Sequence, residues 1–233
     1  MSSEREAEIA YRLPGKDAVY VNICDRCTLA CRFCPKFSDW MMGDHYLKLG
    51  AGLPSPEEVS DAARLAVRRR AVTLRDVREA RDTGNRATFA DLASVGEVVF
   101  VGLGEPTRRM GVLLDTALLL RRAGAVRLRL NTDGLSSLRE SRDTVPELAR
   151  LIEAVSVSVN APDAISYLRW CPNRYGVAAW TAACDFVRRA NGAFDEVQAT
   201  IVGLPGIDVD ASRRLVEEQL GATFKLRPAF EEA

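Results

Sequence analysis

Four of the six cysteines, Cys24, Cys27, Cys31 and Cys34, fall within eleven residues, while Cys171 and Cys184 lie far downstream. Clustering of this kind is unlike the spread spacing of a disulfide framework, and in a reducing compartment it marks a metal or iron–sulfur site. A zinc site built from two separated knuckles has no second knuckle here. With His45 the one histidine, only an all-local zinc site of four cysteines stays open. The spacing Cys27-x3-Cys31-x2-Cys34 instead offers three thiolates around a short loop, leaving one corner of a [4Fe–4S] cubane without a protein ligand, a place to do chemistry. Cys24 could complete a four-cysteine electron-transfer or structural cluster, at the cost of straddling a strand end and the first turn.

The elements that must position these thiols read as a repeated strand–turn–helix pattern. Strand-like runs recur at Asp17 to Ile23, Glu97 to Val101, Val126 to Leu130, Val155 to Asn160, Glu196 to Val202 and Thr223 to Arg227. Six βα units predict a parallel sheet. Helices are plainest at Pro56 to Arg70, where Ser55 caps and Glu58 completes a capping box, and at Val177 to Ala190. No linker divides residues 1–233, so a single domain is expected. The arginine-rich stretch from Arg68 to Arg86 reads as a solvated helical excursion.

Strand parity adds a second signal, because successive side chains point to opposite faces. Tyr20, Asn22 and Cys24 oppose Val21 and Ile23; Arg127, Arg129, Asn131 and Asp133 oppose Val126, Leu128 and Leu130; Ser156, Ser158 and Asn160 oppose Val155, Val157 and Val159. Gln198 and Thr200, and Lys225 and Arg227, continue the pattern against Ala199 and Ile201, and against Phe224 and Leu226. Parallel strands covered on both faces should be apolar on both. The recurring polar face therefore belongs to the lumen of an incomplete (β/α)6 TIM-type barrel. Four cations, Arg127, Arg129, Lys225 and Arg227, share that face. Either they meet an anionic ligand, or Arg127 and Arg129 pair with carboxylates of neighbouring strands.

The string Cys27-Thr-Leu-Ala-Cys31-Arg-Phe33-Cys34 resembles the CxxxCxφC loop of the radical S-adenosylmethionine (SAM) superfamily, φ being aromatic, and it follows the first strand as that loop does. After the second strand, Gly102-Leu103-Gly104-Glu105-Pro106 resembles the superfamily's GGEP motif, with Leu103 interrupting the glycine pair. The resemblance implies that Cys27, Cys31 and Cys34 ligate a [4Fe–4S] cluster whose fourth iron takes SAM. It implies that Phe33 lies beside the adenine, and that Gly102, Gly104 and Glu105 form the site for the SAM amino group. Asn131, Ser158 and Asn160 are then ribose or carboxylate contacts, and Arg227 a carboxylate or substrate contact. One electron, from a donor such as flavodoxin or ferredoxin, would cleave SAM, and the 5′-deoxyadenosyl radical would abstract a hydrogen atom from a small or medium substrate.

Further runs, Cys34-Pro-Lys-Phe-Ser-Asp39-Trp40 with Gly43-Asp-His45, Asn131-Thr-Asp-Gly134, Val157-Ser-Val-Asn160-Ala-Pro and Val202-Gly-Leu-Pro-Gly206, are similar to TatD-associated radical SAM proteins. That likeness implies a TatD-type hydrolase encoded separately as a partner. It also sets residues 70–93 apart as a helical insertion. Cys171, in a loop between Trp170 and Pro172, and His45, in a Gly-containing loop after the cysteines, are the candidate catalytic side chains; for His45 a loop-packing role stands beside the active-site one. Cys184 falls at helical spacing with Trp180 and Val187, as a core thiol would. Ending after the sixth strand, the chain is expected to be a minimal core. Activation of a glycyl-radical partner, modification of a peptide or nucleotide, and simple electron transfer remain the alternative activities.

Composition sets the outer bounds. Lys plus Arg, 32, equals Asp plus Glu, 32, so no net field would gather long nucleic acid or a membrane surface. No apolar run approaches the roughly 20 residues of a membrane span, and the opening MSSEREAE lacks a secretory signal, which makes a cytoplasmic location the expectation.

Overall fold

The computed structural model describes residues 5–50 and 52–229, so the first four residues of the opening lie outside the described residues. The chain divides into two compact units. One runs to Cys27 and resumes over Pro35–Arg129; the other holds Thr28–Cys34 and the chain from Leu130 onward.

In the first unit, β1 (Glu8–Tyr11) and β2 (Ala18–Asn22) are followed by a small ribbon of β3 (Met41–Met42) and β4 (His45–Tyr46), then α1 (Pro56–Ala66), β5 (Ala71–Thr73), α2 (Leu74–Asp82), β6 (Glu97–Val101) and α3 (Met110–Arg122). The strand order is β6-β2-β1-β5. β2 and β6 are parallel, with Tyr20 beside Val99 and Asn22 beside Val101, whereas β1 runs antiparallel to both β2 and β5. Helix α1 starts as its sequence dictates: Ser55 Oγ accepts the Glu58 N–H at 3.2 Å and Glu58 returns a carboxylate oxygen to the Ser55 N–H at 2.9 Å. It ends four residues before the expected Arg70, because the chain turns there to reach β5. The Arg70 carbonyl accepts the Arg12 N–H at 2.8 Å. The arginine-rich stretch is therefore a strand and a helix, α2 capped by Thr73, rather than helix alone. Val59, Ala62, Ala63 and Ala66 of α1 and Leu113, Ala117 and Leu120 of α3 form the buried helical faces.

In the second unit, β7 (Leu128–Thr132), in which the chain passes from one unit to the next, leads to α4 (Ser136–Glu140), α5 (Val145–Ala149), β8 (Ala154–Ser158), α6 (Ala164–Trp170), α7 (Ala178–Ala190), β9 (Glu196–Gly203), α8 (Val209–Arg214) and β10 (Thr223–Pro228). The order is β10-β9-β8-β7, with β8, β9 and β10 parallel. The apolar parity holds where strands have neighbours on both sides: Val155, Val157, Val159, Ala199 and Ile201 have no exposed surface. It fails at two ends. Val126 is 59% exposed because β7 begins at Leu128, and Leu226 is 47% exposed because β10 is bonded on one side only.

Candidate functional site

The loop after β2 is anchored from both flanks. On the first unit's side, the Glu105 N–H donates to the Arg26 carbonyl at 2.8 Å, and a Cβ placed on Gly104 would stand 2.2 Å from the Cys24 carbonyl oxygen. Two backbones can approach this closely only where one of them lacks a side chain. Gly102 has φ +143°, and a Cβ there would sit 2.5 Å from Asn22 Oδ1. Glu105, 2% exposed, turns its carboxylate onto the N–H and hydroxyl of Thr107 at 2.9 and 2.6 Å. Arg109 donates to the carbonyls of Ile23 at 2.7 Å and Pro54 at 3.0 Å, and Asn22 Nδ2 to those of Glu8 and Leu47. Arg109 and Asn22 hold the strand end from which the cysteines depart. Neither role has a sequence signature, since one is a single arginine among many and the other reads as lumen polarity.

Cys24 is buried, and its thiol donates to the Arg26 carbonyl at 3.3 Å. Burial pushes that thiol up, away from the thiolate a metal requires. His45 is 2% exposed; its Nδ1 lies 2.5 Å from Glu8 Oε2 and its ring stacks on Tyr11 at 4.5 Å. Burial raises the Glu8 pKa against the pull of His45. Arg129 and Arg127 approach Glu97 at 2.9 and 3.9 Å, so the carboxylate of a neighbouring strand meets them.

In the second unit the residues of the cysteine loop form a short antiparallel pairing with the segment after α6. Ala30 N–H donates to the Pro172 carbonyl at 2.8 Å, Arg32 N–H to the Trp170 carbonyl at 2.9 Å, and Leu29 bridges Asn173. Leu29 is buried between the flanking cysteines, while Cys31, Phe33 and Cys34 are partly exposed. Asn160 follows β8 in the left-handed region, φ +59°, and its Nδ2 reaches Cys171 Sγ at 3.6 Å. Its Oδ1 is buried and has no hydrogen-bond partner among the described residues. The Arg227 Nε is buried and unpartnered in the same sense, and burial lowers the guanidinium pKa against the opposing pull of Cys31, Cys171 and Cys34. Lys225 and Asn131 are exposed and Ser158 partly so. Cys184 is 1% exposed, its thiol pushed up to about 12 by burial, as befits a core residue of α7.

The family model of the radical SAM superfamily matches residues 21–218. The chain belongs to the radical SAM superfamily. It is an enzyme of that superfamily, which uses a [4Fe–4S] cluster and SAM. No curated protein sequence is matched significantly. Among solved structures, SuiB of Streptococcus suis bound to SAM is similar at TM-score 0.62 and 14% identity, over 94% of this chain and 42% of that one. SuiB bound to its precursor peptide SuiA gives TM-score 0.58 at 15% identity, over 94% and 40%. A radical SAM methyltransferase from Sphaerobacter thermophilus gives 0.51 at 18%, over 94% and 68%. The chain thus spans less than half the length of SuiB. At these identities the likeness shows the fold alone, α/β with mostly parallel strands, as in radical SAM TIM-type cores.

The residues present fit the cofactor pair. A buried guanidinium nitrogen without a partner, beside two cysteines of the CxxxCxφC loop, asks for an anion. At Gly102 and Gly104 the missing side chains let the segment after β6 press against Asn22 and the backbone of Cys24, which fixes the start of the cysteine loop. Among the described residues no three His, Cys, Asp or Glu side chains gather as they would around a single ion, and thiolates on separate corners of a cubane need not converge so.

Proposed function

We propose that this enzyme abstracts a hydrogen atom from a small or medium substrate that carries a carboxylate or phosphate. The observation that supports the substrate class is the buried Nε of Arg227, a donor for which the described residues offer no acceptor and which a carboxylate or phosphate oxygen would satisfy. Cys27, Cys31 and Cys34 would hold the [4Fe–4S] cluster, Phe33 would lie against the adenine, and Gly102, Gly104 and Glu105 would receive the amino group. Asn131, Ser158 and Asn160 would meet ribose or carboxylate. When bound, the cluster and SAM supply one-electron cleavage of the sulfonium and with it a 5′-deoxyadenosyl radical. The residues' own work is to orient and to exclude water: Asn160 fixes the Cys171 thiol, Arg109 and Asn22 fix the strand end, and Arg227 binds the anion. Cys171 would give or take a hydrogen atom, a role that its full burial supports by keeping water from the thiol. The pairing of His45 with Glu8 and Tyr11 supports the packing role. Kinship with TatD-associated proteins, a separately encoded hydrolase partner, a flavodoxin- or ferredoxin-type donor and a cytoplasmic location complete the reading. No described helix is long and apolar enough to cross a membrane.

Anaerobically reconstituted protein, reduced with dithionite, should convert SAM to 5′-deoxyadenosine and methionine without added substrate. Cys27→Ala, Cys31→Ala and Cys34→Ala should each abolish cluster and cleavage, whereas Cys24→Ala keeps both. Arg227→Gln should depress turnover on carboxylated or phosphorylated candidates more than uncoupled cleavage. No 5′-deoxyadenosine from a verified reduced cluster would favour the electron-carrier alternative. Cleavage stimulated by peptides alone would favour peptide modification, the activity to which the SuiB–SuiA complex draws attention.

A further inference from the structure

The pairing of the cysteine loop with Trp170–Asn173 has a fixed register. Ala30 meets Pro172, Arg32 meets Trp170 and Leu29 meets Asn173, so each step forward on the loop is one step back on the strap. Cys31 therefore stands opposite Cys171. The backbone groups of both residues turn away from the shared axis: the Cys171 N–H donates to the Tyr167 carbonyl at 2.7 Å, its carbonyl accepts Asn173 Nδ2 at 3.0 Å, and the Cys31 carbonyl accepts the Cys34 N–H at 3.1 Å. The bonds Ala30–Pro172 and Arg32–Trp170 bracket this pair, so Cys31 and Cys171 take the place that a non-hydrogen-bonded pair holds in an antiparallel ladder, where Cβ atoms are typically about 4.5–5.5 Å apart. A disulfide needs about 3.5–4.5 Å, within a small adjustment of that spacing. The guanidinium of Arg227 lies close to both residues.

We propose that Cys31 and Cys171 are a redox pair that closes to a disulfide when the cluster is absent, withdrawing one cluster ligand and guarding the site against loading under oxidising conditions. The guarding role rests on the assignment of Cys31 as a ligand. With a disulfide such as oxidised glutathione as oxidant, one cysteine thiolate attacks and releases a first glutathione thiol. The second cysteine displaces the other, so two protein thiols become one S–S bond and one glutathione disulfide becomes two thiols. A dithiol reductant reverses the exchange and returns Cys31.

The full chain, stripped of iron anaerobically and reduced, is titrated with oxidised glutathione, quenched, digested without reduction and mapped by mass spectrometry. The Cys31 and Cys171 peptides should appear joined, with two thiols lost per chain and iron loading lost until a dithiol restores it; protein already carrying its cluster should resist. Cys171→Ser should load iron after the same treatment. Cys31 joined chiefly to Cys27 or Cys34, or Cys171 remaining free, overturns the pairing. Mapping on the unsubstituted chain decides this even if the variant misfolds. A cross-link in protein that never binds iron when reduced overturns the ligand assignment and the guard, not the pairing. Iron binding without a cross-link does the reverse.

Discussion

Gly104 is the position where one added methyl group costs most. Its Cβ would meet a backbone carbonyl, not the end of a flexible side chain, so the loop after β6 or the backbone at Cys24 must move. Gly104→Ala should destabilise by about 1–3 kcal/mol, lowering Tm by about 2–12 °C, and should weaken SAM binding measured calorimetrically more than it lowers iron content. Unchanged SAM affinity would mean that the glycine serves only the crossing of the two backbones. The cysteine string and the Gly-Leu-Gly-Glu-Pro run were legible as sequence because few residue types can perform their tasks. Asn22 and Arg109 were not, since their work is to donate to carbonyls brought near by distant parts of the chain.

Helix α6 is short, and its end delivers Cys171. Its start depends on Asp163, whose carboxylate accepts the N–H groups of Ile165 and Ser166, each at 2.9 Å, and the Ser166 hydroxyl at 2.8 Å. These bonds hold the Asp163 pKa below its ordinary value, the Ser166 amide most of all. A folded pKa below the unfolded one contributes stability above the unfolded value, lost as pH falls through the folded value. Asp163→Ala should therefore cost about 1 kcal/mol near neutral pH, and the gap in denaturant midpoint should narrow below the ordinary carboxylate range. A gap independent of pH would show that the cap acts without its charge. The six parallel-type strands could be read from periodicity and turn signals. β1 and β5 escaped because four and three residues are too few to display alternation, and β5 hides among arginines.

Across the whole chain, equal numbers of cations and carboxylates are deployed as local pairs, among them Arg75 with Glu6, Arg81 with Asp61, Arg142 with Glu147 and Arg189 with Asp143. Each exposed pair is worth little to stability. The overall balance of 32 cations against 32 carboxylates gives no net positive charge to draw the chain to phosphates. Random-sequence duplex DNA should accordingly fail to shift the protein in a gel at physiological ionic strength; salt-sensitive retardation would sink that expectation. Charge balance is legible from composition. Which carboxylate meets Arg127 and Arg129 is not, because Glu97 lies about thirty residues away along the chain.

The strap that holds the cysteine loop is made late. On a ribosome the loop emerges about 140 residues before Trp170–Asn173, which at about 5–20 residues per second leaves it without its backbone acceptors for about 7–30 s. The Ala30 and Arg32 N–H groups on the early segment donate to the Pro172 and Trp170 carbonyls on the late one, and Pro172 has no N–H to offer in return. The nascent loop must therefore wait, thiols uncovered, for a rail that the chain has yet to synthesise. Iron delivered during translation would meet an unsupported loop, and iron delivered afterwards a finished one.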